Sequence, residues 1–161
     1  MNASPDRKIA LIDIDGTIAD VRHRLHHIQG PGRKNWKAFF EEMNDDTPIA
    51  DMVRQVHELE KQHEIVIVTG RPEDYRARTE QWLRDHGIRY SRLFMRPKGD
   101  HRPDYTVKAE VLDHLPREKI ALAIDDRGPV CDMWEKNGIR CMRVDNGEEN
   151  KQVNELYREK S

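Results

Sequence analysis

A chain of 161 residues falls within the usual size of one domain and is long enough to enclose one core. Its 28 Lys and Arg nearly balance 30 Asp and Glu, leaving a formal net charge of −2 that neither demands nucleic acid nor excludes a local basic patch. Only two cysteines occur, Cys131 and Cys141, with no CxxC spacing, which argues against a disulfide framework or a cysteine zinc site and fits a reducing cytoplasm. The opening MNASPDRK lacks the apolar core of a signal peptide and no run approaches a membrane span, so a soluble, cytoplasmic chain with no membrane partner is expected.

Ile9-Ala10-Leu11-Ile12, with Ile14, reads as the first buried strand. An insert of roughly two dozen residues follows, from about Val21 to Asp45, below the ~40 residues usually needed for an independent core. Within it, Trp36, Phe39 and Phe40 have the three-and-four spacing of a short helix docking an apolar face. An amphipathic helix is expected around Pro48 to Gln62, then a second strand at Ile65–Val68. From Glu73 to His86, Tyr75, Thr79, Trp82 and Leu83 share a helical face that Gly87 ends. A weaker strand covers Arg92–Met95. Val107, Val111, Leu112 and Leu115 form another helical face, ended by Pro116. The run Ile120–Ile124 is a strong strand, Val130, Met133 and Trp134 mark a helix ending near Gly138, and Arg140–Val144 is a weaker strand. The polar stretch from Asn146 reads as a solvated helix or frayed tail. Alternating strands and helices predict an α/β fold, a single domain over 1–161 with a doubly wound parallel sheet and a small cap insert at about 21–45.

The strongest chemical signal is Asp13-Ile14-Asp15-Gly16-Thr17 at the end of the first strand. Residues two apart on a strand share a face, so both carboxylates can address one site. A lone DxD reads best as a turn; DxDGT after a buried apolar run reads as a site. Thr69-Gly70-Arg71 and Asp125-Asp126-Arg127 end later strands in the same way. Ligands bind outside the carboxyl ends of strands where the strand order reverses. With the order 3-2-1-4-5, the first and fourth strands are neighbours there, and Asp13, Asp15, Asp125 and Asp126 converge. Carboxylates ~5 Å apart repel by about 3 kcal/mol per pair at an effective dielectric near 20. Such a cluster needs a cation, and all-oxygen ligands suit Mg²⁺.

DIDGT, the strand-ending TGR, Lys108 and IDDR resemble, in order, the four motifs of the haloacid dehalogenase superfamily, and the second aspartate of DIDGT resembles its phosphatase branch. HRPDYTVKAE and LAIDDRGPVCDMWEKNGI are similar to the phosphatase domain of phage and bacterial polynucleotide kinase/3′-phosphatase, and Arg24 falls where that family carries an arginine. The resemblance covers roughly Ile9 to Val144 and implies a Rossmann-like fold. It implies Asp13 as nucleophile through an aspartyl-phosphate, and Asp15 as general acid and base with its backbone carbonyl on the metal. It further implies Thr69 and Lys108 at the phosphoryl group, and Mg²⁺ held by Asp125 and Asp126, the more direct ligand of the pair being open between them. Asp104, four residues before Lys108, either orients that lysine or is an ordinary helix-start aspartate.

Arginine forks suit phosphate oxygens, and Arg24, Arg71 and Arg102, with Gly70, are the expected substrate contacts. Arg22, Arg33, Lys34 and Lys37 in the insert, and Arg96 and Lys98 after a strand, rank lower. His23, His26 and His27 lack a cysteine or distant histidine to complete a zinc set. No GxxxxGK[ST] occurs, so no kinase half is expected in this chain. The reading is a stand-alone phosphatase acting on nucleic-acid 3′-phosphate ends, of DNA or RNA. The alternatives are a nucleotidase using free mononucleotides and a non-catalytic module that binds phosphorylated ends.

Overall fold

The computed structural model describes residues 6–145, so the expected tail from Asn146 onward lies outside the described residues. Along the chain come β1 (Lys8–Ile12), β2 (Ala19–Asp20), α1 (Trp36–Glu41), β3 (Thr47–Pro48), α2 (Ala50–Glu60), β4 (His63–Pro72), α3 (Arg76–Asp85), β5 (Arg92–Arg96), α4 (Asp104–Ala109), β6 (Ile120–Asp125), α5 (Gly128–Lys136) and β7 (Cys141–Arg143). Five strands form one parallel sheet in the order β5-β4-β1-β6-β7. Counted within that sheet alone, the order is the expected 3-2-1-4-5.

β1 is apolar throughout its interior because both faces of the sheet are covered. Ala10 and Ile12 pack against Met52 and Val56 of α2 and Trp82 and Leu83 of α3. Ile9 and Leu11, on the opposite face, meet Val111 beyond α4 and Val130, Met133 and Trp134 of α5. Burying each large aliphatic side chain contributes roughly 2 kcal/mol. This two-sided burial explains why strand periodicity is hidden in a continuous apolar run.

Several boundaries differ from the sequence expectation. β4 does not stop at Val68 but continues through Thr69, Gly70 and Arg71, with irregular pairing to β5 between Val68 and Pro72. The second helix begins at Ala50, because Pro48 instead pairs with Ala19 in an antiparallel ribbon of β2 and β3. Two residues per strand are too few to leave a periodic signal. The helices expected from Glu73 and through Leu115 are divided: a 3₁₀ turn at Glu73–Tyr75 precedes α3, and another at Glu110–Asp113 follows α4.

The β2–β3 ribbon brings together the two ends of the insert. Between them lie a 3₁₀ helix (Arg22–His27), α1, and a 3₁₀ turn (Met43–Asp45). Asn35 caps α1, its side-chain oxygen accepting from Ala38 N at 3.0 Å. Val21, Leu25, Ile28, Phe39, Phe40 and Met43 form a small apolar cluster, with Trp36 and Tyr75 packed on it. The aromatic side chains of α1 are therefore packing residues.

Candidate active site

The carboxyl ends of β1 and β6 lie side by side at the reversal of strand order, where Asp13 N–H donates to Ile124 O at 3.0 Å. Immediately beyond, the chain folds around the Ile14 carbonyl, which accepts from the N–H groups of Thr17, Ile18 and Ala19. Gly16 sits in this turn at φ 80°, a left-handed conformation that a side chain would strain. The turn leaves Asp13 and Asp15 near each other but in different charge environments.

Asp13 is buried, with one oxygen 2.9 Å from Lys108 Nζ and the other accepting from Thr17 Oγ1 at 2.9 Å. Lys108 also donates to Asp125 at 2.6 Å and lies 3.4 Å from Asp104, one turn earlier on α4. Asp104 is further paired with Arg96 at 2.9 Å and Arg127 at 2.6 Å. The other oxygen of Asp125 accepts from Arg127 N at 3.0 Å. Oxygens of Asp13, Asp125 and Asp126 lie within 4.8 Å of one another. Neither buried oxygen of Asp126 has a hydrogen-bond partner.

Four carboxylates here face three cations, and the uncompensated charge falls on Asp126. Burial, reinforced by Asp125, raises the Asp13 carboxyl to about 7 despite Lys108. Burial together with Asp13 and Asp125 pushes Asp126 well above the carboxylate range. Burial acts against the Lys108 ammonium, but Asp125, Asp13 and Asp104 outweigh it and hold the lysine charged. A buried acid without a donor, beside two others, is what a hard divalent cation would satisfy. Asp13, Asp125 and Asp126 therefore fit such an ion.

The Asp15 side is electrically balanced. Arg71 Nη2 lies 2.6 Å and Arg24 Nη2 3.1 Å from the same Asp15 oxygen. Both guanidiniums also reach Asp46, Arg24 at 2.7 Å and Arg71 at 3.3 Å, and His23 approaches Asp46 at 2.6 Å. Burial opposes ionisation of Asp15, but Arg71 and Arg24 outweigh it and hold the carboxyl below its ordinary value. Arg24 stacks over the Phe39 ring at 4.3 Å, which fixes its fork against α1.

Asp13, Lys108, Asp125 and Asp126 thus form one linked cluster, Asp15, Arg24 and Arg71 form a second beside it, Thr69 adjoins Lys108, and Gly70 abuts Asp104. Arg24 and Arg71, expected at substrate, are fully buried in the pairing with Asp15 and Asp46. Arg102 is not brought in; its exposed fork pairs with Asp100 at 2.6 Å and with Glu110. Thr69 is buried and lines, with Lys108, Phe94 and His114, a cavity of about 140 Å³ beside α4. Gly70 is needed for close approach: a Cβ there would lie 2.2 Å from Asp104 Oδ1. Sequence reasoning missed Asp46 and the role of Thr17, and ranked Arg96 among the lesser substrate candidates where the structure pairs it with Asp104. Thr17 stood within the DxDGT signal, whereas nothing local distinguishes buried Asp46 from exposed Asp45.

A family model described as the polynucleotide kinase PNKP phosphatase domain matches residues 7–148. The chain belongs to this family. It is accordingly a phosphatase-type hydrolase of the haloacid dehalogenase class. A putative bifunctional polynucleotide kinase/RNA ligase of Autographa californica nuclear polyhedrosis virus is 28% identical over 133 residues, covering 80% of this chain and 18% of the viral protein. A chain of the Pnkp1/Rnl/Hen1 RNA repair complex superposes with a TM-score of 0.72 at 23% identity, over 92% of this chain and 46% of that one. A haloacid dehalogenase-like hydrolase, SP0104 from Streptococcus pneumoniae, superposes with a TM-score of 0.63 at 11% identity, over 94% and 92% of the two chains. The chain thus spans less than half of the first two relatives, and those two structural likenesses concern the fold. Among the described residues no helix is long and apolar enough to cross a membrane.

Proposed function

We propose that this phosphatase is Mg²⁺-dependent and removes the 3′-phosphate from polynucleotide ends. The observation that carries the reading is the contrast between Asp13, held at both oxygens by Lys108 and Thr17, and Asp126, buried beside it without a donor. Asp13, the Asp15 carbonyl and Asp126 are the proposed metal ligands, with Asp125 oriented by Lys108 and the Arg127 N–H. Bound there, Mg²⁺ would supply positive charge against which a phosphoryl oxygen and the Asp13 carboxylate can approach.

Asp13 attacks phosphorus, the bond from phosphorus to the 3′-oxygen breaks, and an aspartyl-phosphate forms on Asp13. Asp15 gives its proton to the departing alkoxide. It then takes a proton from the water that attacks the intermediate, releasing phosphate and restoring Asp13. Arg24 and Arg71 hold Asp15 as a carboxylate in the resting site; an arriving phosphate dianion raises its affinity for a proton, which Asp15 takes up from solvent before the leaving-group step and regains from the attacking water. Lys108 and Thr69 offset charge on the phosphoryl group. Arg24 and Arg71 orient Asp15, and Arg102 is left at the surface to meet a neighbouring phosphate.

The polymeric substrate is supported by the family match and by an insert too small to enclose a mononucleotide. The test compares kcat/KM for a 3′-phosphorylated oligonucleotide, its 5′-phosphorylated counterpart and nucleoside monophosphates. The 3′-phosphorylated oligonucleotide is expected to be preferred, with the preference eroded by salt because each phosphate contact adds to the salt slope. A preference for free mononucleotides that salt leaves untouched overturns the polynucleotide assignment in favour of a nucleotidase.

A further inference from the structure

We propose that His26, His27 and Glu42 form a second divalent-metal site, within the insert and selective for Zn²⁺. In the sequence the histidine cluster lacks a distant ligand. The fold supplies one: Glu42, at the C-terminal end of α1, comes up against the 3₁₀ helix that carries both histidines. One ligand atom from each of the three residues lies within 4.8 Å of the others. The His26 and His27 rings are tilted at 40° with centroids 3.9 Å apart. His27 Nε2 is 2.9 Å from Glu42 Oε1, yet that buried nitrogen has no aligned hydrogen-bond partner. A cation on their shared side would use both lone pairs. His23 is not part of the set, since its ring is turned to Asp46.

Zinc ligands at ~2.0–2.1 Å in tetrahedral array stand about 3.3 Å apart, so closing this site needs only small movements of the three side chains. Two imidazoles and one carboxylate, with a position left for water, suit a borderline-soft ion. The all-oxygen cluster of Asp13, Asp125 and Asp126 suits Mg²⁺ instead. The insert has a physical use for such a link, because a segment this short rarely holds itself together by apolar burial alone. The ion would tie the segment bearing Arg24 to the one leading into Asp46, and both of those residues position Asp15. The inference rests on the insert's geometry and stands apart from the proposed activity.

The test is a Co²⁺ titration of the Mg²⁺-saturated protein, read as visible d–d absorption. Bands saturating at one equivalent and bleached by Zn²⁺ are expected. His26→Ala and Glu42→Gln, each partly exposed and checked for fold by circular dichroism, should each weaken Co²⁺ binding by at least about 10-fold. Asp126→Asn should leave the bands in place. Absence of bands in the unmodified protein, their persistence in both insert variants, or their loss only in Asp126→Asn would each overturn the proposal.

Discussion

Arg71 donates to a single oxygen of Asp15 through both Nε, at 3.0 Å, and Nη2, at 2.6 Å. The same guanidinium reaches Asp46 and Thr79, so one buried fork joins β4, the insert and α3. Removing it leaves two buried carboxylates sharing only Arg24. Breaking a buried pair by deleting one partner costs about 3–5 kcal/mol. Arg71→Ala is therefore expected to shift the urea unfolding midpoint strongly, and Arg71→Lys to recover only part of the loss because an ammonium cannot reproduce the fork. An unchanged midpoint in Arg71→Ala would contradict this account of the network.

Asp15 separates two roles that a single carboxyl could combine. Asp15→Asn keeps the backbone carbonyl proposed as a metal ligand but cannot exchange a proton. Proton transfer by a positioned group is worth ~10²–10⁴-fold in rate. The loss should be larger for an alkoxide leaving group than for an activated phenolate, measured as kcat on each substrate. Equal losses would remove the acid–base role from Asp15.

The unpaired charge on Asp126 predicts opposite responses with and without metal. Burial and neighbouring acids raise Asp126, and they raise Asp13 to about 7. For a carboxyl raised on folding, the stabilisation is complete below the unfolded value and is lost as pH rises through the folded value. The metal-free protein should therefore lose Tm as pH rises from about 4 to about 7. Asp15 and Asp104 are lowered, so their contribution is already complete across that window and vanishes only under stronger acid. Asp126→Asn should raise the metal-free Tm near neutrality and abolish the further rise that Mg²⁺ confers on the unmodified protein. Differential scanning fluorimetry with and without chelator reads both effects; a lower metal-free Tm in Asp126→Asn would count against the uncompensated charge.

Gly70 is a steric prediction. The methyl of Gly70→Ala would overlap Asp104 Oδ1, and that carboxylate cannot simply swing aside because Arg96, Lys108 and Arg127 hold it. Lys108 would move with it, away from Asp13. A fall in kcat of at least about 10-fold is expected, the size of a roughly 1.4 kcal/mol rise in barrier. Wild-type turnover by Gly70→Ala would show that Asp104 does not position the lysine.

What the sequence alone determined is local in origin. Continuous apolar runs at Ile9, Ile65 and Ile120 report two-sided burial, which only a covered parallel sheet provides, and acids directly after such runs must emerge at its carboxyl edge. Asp13, Asp125 and Asp126 were legible for that reason, as was the i, i+4 spacing that sets Asp104 beside Lys108. Partnership across long separations left no such trace. Only the tertiary structure distinguished Asp46 from Asp45, turned Arg24 and Arg71 inward onto Asp15, left Arg102 in solvent, and carried Glu42 to His27. Periodicity records which residues are buried; which charges meet depends on where separate elements pack. At an effective dielectric near 20, a 4 Å pairing is worth about 4 kcal/mol, and a shift of a few ångströms reassigns it.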